Sequence, residues 1–97
     1  MSTGGGWLGQ RNPAPPEDLR ARLGLTDLAA GPELVERLVD EALAALDRAR
    51  GAPGRVRDSA LDLLVADALL TYACEAALEL PDADAVLADI ERRAAEA

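Results

Sequence analysis

Four arginines stand within ten residues, in the segment Arg48-Ala-Arg50-Gly-Ala-Pro-Gly54-Arg55-Val-Arg57. Guanidinium forks suit phosphate and carboxylate, and the free N–H groups of a helix start favour anions. Arg48, Arg50, Arg55 and Arg57 are therefore candidate anion-binding residues. The segment is not a phosphate-binding loop, because it lacks the glycine spacing and the Lys-Ser/Thr ending. A local explanation competes and is the stronger one. Arg48 and Arg50 complement the C-terminal dipole of a preceding helix, and Asp58 caps the next.

Carboxylates are the other groups able to do chemistry. Asp62 falls in the same helical column as Ala66, Leu69, Ala73 and Leu80. A carboxylate on an apolar face is costly unless it is paired. It is either a catalytic or ligand-binding acid, or a structural group that reaches solvent or meets an arginine such as Arg37 or Arg20. The structural role is the expected one. Asp67 and Glu75 allow carboxylate-only metal binding across an oligomer interface, but acidic stripes are usually just solvated. Asp82-x-Asp84 lacks the rest of a calcium loop and reads as a helix start. With no histidine in the chain, His-based triads, haem axial histidines and Glu-x-x-His metal motifs are excluded. No catalytic residue, metal site or cofactor is expected, and an enzyme is the less favoured class.

The elements that must carry these residues are helices. Val56–Leu80 has polar residues only at Asp62, Asp67, Thr71, Glu75 and Glu79 once past its start at Asp58-Ser59. A surface helix normally has one apolar stripe and one polar face. This one is apolar around most of its circumference, so the rest of a small domain or another chain must surround it. Asp67, Thr71, Glu75 and Glu79 recur every four residues and mark its solvent side. Before it, Pro32-Glu33 opens an amphipathic helix to about Arg50, with Leu34/Val35, Leu38/Val39, Ala42/Leu43 and Leu46 at a 3–4 spacing. Gly51-Ala-Pro-Gly54 breaks the chain, and Pro81 ends the long helix. Asp82 can cap a last helix, Ala83 to about Ala95, whose thin apolar edge is Val86, Leu87 and Ile90. A short helix from Pro16 and a further turn over Asp27–Ala30 are expected upstream. Short connections set consecutive helices side by side and antiparallel. The expected fold is all-α: a small bundle built on a helical hairpin, 32–50 against 56–80, with short flanking helices at each end.

Composition agrees. Ninety-seven residues make one domain, with residues 1–16 a Gly/Pro-rich flexible tail and 17–97 the helical unit. Twenty-one Ala and 17 Leu stand against five Val, one Ile, one Trp, one Tyr and no Phe. That mixture favours helix and would build a poor sheet. Without Phe the core lacks bulky anchors, so a second chain would add welcome burial.

All ten basic residues are arginine; with abundant Ala and Gly this suggests a GC-rich bacterial genome. Residues 1–57 balance eight Arg with eight acids, whereas residues 58–97 carry ten acids against Arg92 and Arg93, so the net −8 sits in the second half. Such a surface repels nucleic acid and anionic membrane. It suits a basic partner or the Arg-rich half of another copy, although a solubilising acidic face is the simpler account. Cys74, the lone cysteine, is expected as a core thiol. Met1–Pro16 lacks the pattern of a secretory signal, and Asp62, Asp67 and Glu75 disfavour a membrane span, so the expected location is the cytoplasm.

Ala66-Asp-Ala-Leu-Leu-Thr-Tyr-Ala-Cys-Glu75 resembles a core-helix segment of polyprenyl diphosphate synthases, over about ten residues. The Asp-Asp-x-x-Asp motifs that bind magnesium diphosphate in that family are absent, so the resemblance implies a shared packing pattern and carries no activity.

Trp7-Leu8 is an apolar pair in a featureless tail. It is either a short motif that docks on a partner or a segment that folds back on its own domain. The leading expectation is a non-enzymatic interaction and assembly module. It would form a homo-oligomer, a dimer being favoured, through Leu61, Val65, Leu69, Tyr72 and Ala73, with Trp7 and Leu8 as a second contact. The alternative is a regulatory or binding protein for an anionic or apolar small ligand.

Overall fold

The computed structural model describes Trp7, Arg11, residues 29–51, Gly54 and residues 56–97. Among the described residues three helices have defined bounds: α1, Pro32–Arg50; α2, Val56–Ala77; and α3, Ala83–Glu96. Among the described residues there is no strand, and the fold is all-α.

α1 begins where the chain can turn sharply. Gly31 has φ 150° and ψ 177°, a region that residues with a Cβ avoid. Pro32 follows at the first helical position, where its missing N–H costs nothing. The N–H of Gly51 closes the other end on the Asp47 carbonyl at 3.0 Å. Leu34, Val35, Leu38, Val39, Ala42 and Ala45 are buried along one face, as the 3–4 spacing predicts.

α2 runs antiparallel to α1, with the C-terminal end of α1 beside the N-terminal end of α2. There the Ser59 hydroxyl donates to the Ala49 carbonyl at 3.2 Å. α2 ends at Ala77, three residues short of the expected Leu80. The N–H of Glu79 reaches Ala76 at 3.1 Å and that of Leu80 reaches Ala77 at 3.0 Å. These i→i−3 bonds tighten the last turn before Pro81, which disfavours helical geometry at the residue preceding it.

The α2 side facing α1 buries Val65, Ala66, Leu69, Ala73, Ala76 and Ala77. Leu34, Leu38, Val39 and Leu69 supply the bulk, and alanines on both helices let the backbones approach closely. α3 closes one side. It contributes Ile90 as a buried residue, with Val86 and Leu87 partly buried. It is tied to α1 by Arg93, which donates to Glu36 at 3.1 Å and to Asp40 at 2.6 Å. The carboxylate of Asp40 raises the Arg93 pKa above its ordinary value. Asp82, expected as the cap of α3, makes no side-chain capping bond; its carbonyl accepts from Val86 instead. The expected upstream helix lies outside the described residues, and of the expected turn only Ala29 and Ala30 are described, neither of them helical.

Candidate functional site

Asp62 sits nearly two turns into α2, on its buried face, and is 7% exposed. Its Oδ1 accepts from Arg48 Nε at 3.5 Å. The structure thus supplies an arginine, as expected, from the end of α1; Arg37 is exposed and Arg20 lies outside the described residues. The helix crossing brings residues 48 and 62 together. Arg48 keeps about half of its side chain in solvent, so the pair is partly screened. Replacing Arg48 with Ala is expected to cost about 1 kcal/mol in urea denaturation. Asp62→Leu should be neutral or stabilising, because an apolar side chain there needs no partner.

The pair also divides the arginine cluster. Arg48 turns to Asp62, while Arg50 and Arg57 are exposed on separate helices. Arg55 lies outside the described residues. Among the described residues no group of three or more His, Cys, Asp or Glu is placed to hold a metal ion. Asp67 and Glu75 are both exposed on α2. Shallow grooves flank the α1–α3 contact; the larger, about 350 Å³, is lined by Leu43, Leu46, Asp47, Arg50, Arg93 and Glu96. Its Arg93 is already engaged by Glu36 and Asp40.

Trp7 folds back on its own chain and is 3% exposed. Its ring meets Tyr72 edge-on, with centroids 6.4 Å apart and planes at 84°. The indole N–H donates to Glu79 Oε2 at 3.0 Å. Arg11 stacks its guanidinium over the indole at 3.8 Å and lies 3.7 Å from the same Glu79 oxygen. Burial raises the Tyr72 pKa above 10.0, Glu75 adds to the shift and Arg11 opposes it. The Trp7–Tyr72–Glu79–Arg11 cluster is a clasp, with apolar stacking, a cation on the ring face and one carboxylate serving both donors. Arg11 carried no expectation from the sequence. The only signal was its position four residues after Trp7. Leu8 lies outside the described residues.

The remaining expected interface residues divide by side. Val65, Leu69 and Ala73 are buried on the side facing α1, within this chain, and Tyr72 is half-buried under Trp7. Leu61 alone is exposed, and it is not isolated. Val56 is 80% exposed, Leu61 44%, Leu63 50% and Leu64 65%. Sequence reading did not single out Val56, Leu63 and Leu64, because a helix apolar all round gives no phase by which to choose the covered side.

No protein-family model, no curated protein and no solved structure matches the chain. Among the described residues, the fold and this surface define a small all-α bundle with an exposed apolar stretch on α2. No helix among the described residues is long and apolar enough to cross a membrane.

Proposed function

We propose that the chain is a non-enzymatic assembly module that self-associates through the outward face of α2, at the N-terminal half of that helix. One observation carries the reading: Val56, Leu61, Leu63 and Leu64 are exposed within nine consecutive residues. Scattered surface leucines need no explanation, but contiguous apolar patches on small proteins mark contact sites. The covered and uncovered sides of α2 have separate tasks in this reading. Leu69 and Ala73 build the fold, and Leu61 and Leu64 build the contact. The single thiol, Cys74, is free and suits a reducing compartment, so the bacterial cytoplasm is the setting we propose.

Light scattering after size exclusion tests the reading directly. The wild-type chain is expected to show a mass above that of the monomer, rising with concentration. Leu64→Glu should give the monomer mass with unchanged helicity, because the new carboxylate stays in water. A monomeric wild type at high concentration, or an oligomer untouched by Leu64→Glu, would refute the proposal.

A further inference from the structure

The outward face of α2 has an internal order that specifies its occupant. Arg57, Ala60, Leu64 and Asp67 follow one another at spacings of three, four and three, and all are exposed. That is the a/d spacing of a coiled-coil seam. Leu61 and Leu63 then take the flanking e and g positions, one on each side, and Val56 takes the preceding g. At about 100° per residue, Ala60 and Leu64 lie about 180° around the helix from Leu69 and Ala73. α1 covers one side of α2, and this seam runs down the opposite side.

We infer that a second copy of the chain covers the seam, as an antiparallel, two-fold α2–α2 pair centred between Ala60 and Leu64. This rests on the self-association reading and deepens it. A two-fold contact must be self-complementary: if residue i meets residue j, then j meets i. In an antiparallel pair each core layer joins an a position of one helix to a d position of the other. The proposed register seats Leu64 on Ala60 of the partner subunit, a large side chain against a small one, in two equivalent layers. Leu61 and Leu63 each meet their own counterparts along the flanks. At the two ends Arg57 meets Asp67 of the partner subunit. Neither side chain makes an ion pair within the described residues.

Neighbouring registers fail on the same side chains. One heptad further along, Leu64 faces Asp67 of the partner subunit, which buries a carboxylate against leucine. One heptad back, Arg57 faces Ala60 of the partner subunit, and little of either helix overlaps. Charge complementarity and apolar matching therefore select one arrangement. A contact confined to these four layers is short, so the dimer is expected to be a weak one that depends on concentration.

Sedimentation equilibrium on the full chain tests the register with Arg57→Asp and Asp67→Arg, each alone, mixed in equal amounts, and combined in one chain. Both positions are exposed, and circular dichroism confirms that helicity is kept. Each single variant turns two attractive layers into two repulsive ones and should weaken the dimer about tenfold. The equimolar mixture and the double variant should both return to wild-type tightness, since opposite charges again meet in each end layer. Single variants that dimerise as tightly as the wild type, as a parallel pair of like charges predicts, overturn the register. If Leu64→Glu still dissociates the dimer in that case, the self-association reading stands without it. A wild type that never dimerises overturns both.

Discussion

Leu69→Asp should abolish folding, whereas Leu64→Asp, five residues away on the same helix, should leave it intact. Leu69 is 1% exposed and belongs to the same buried cluster as Leu38 and Val39. A carboxylate placed there would sit among buried apolar side chains, and its desolvation costs several kcal/mol. A domain of this size has a total stability of about 5–15 kcal/mol, at the lower end because so little surface is buried. The expected result is loss of most of the ellipticity at 222 nm at 25 °C. Leu64 is open to water, so its replacement changes association and not helicity. Equal helicity in the two variants would show that α1 does not cover the Leu69 side of α2.

Trp7→Ala should be the second largest loss, about 3–5 kcal/mol, the range for truncating a buried Trp. The deletion removes the stacking surface for Arg11 and Tyr72 and leaves Glu79 without its indole donor. Trp7→Phe keeps a ring against Tyr72 but forfeits the hydrogen bond to a carboxylate, a loss of about 1.5–3 kcal/mol before solvent screening at half-exposed Glu79 reduces it. Guanidinium chloride titrations followed by circular dichroism should rank wild type, Phe variant and Ala variant in that order. An Ala variant as stable as the wild type would mean that the clasp contributes nothing to folding.

These two predictions trace where the sequence could be read and where it could not. α1 was legible at both ends because Gly31-Pro32 and Gly51 act locally and its apolar residues keep one phase. The break at Gly51–Gly54 and the apolar edge of α3 at Val86, Leu87 and Ile90 were legible for the same reason. The end of α2 was misplaced because the constraint from Pro81 spreads backward through a tightened turn. The buried column holding Asp62 could be drawn on one helix, but its partner depends on how two helices cross. That crossing put Arg48 there, a residue that reads more naturally as part of an arginine turn.

The site was harder to read for a related reason. Leu61, Val65, Leu69, Tyr72 and Ala73 read as one contact in the sequence because all are apolar residues of α2. Only the seating of α1 separates them, placing Val65, Leu69 and Ala73 inside the chain and leaving Leu61 outside with Leu64. Trp7 had two open alternatives. The choice between them rests on Tyr72 and Glu79, more than sixty residues away, which no local pattern encodes.

That separation has a consequence for the order in which the molecule takes shape. Trp7 and Glu79 are 72 positions apart, so the indole leaves the ribosome well before the carboxylate that receives it. The α1–α2 hairpin needs only a short loop and can form as soon as Ala77 has emerged. The clasp cannot, because its receptor includes Glu79, which emerges after α2. A chain that stops before Glu79 would carry its single indole without that receptor. Burial of Trp7 therefore marks the arrival of the turn that follows α2, and the fluorescence of this one residue reports that Glu79 is in place.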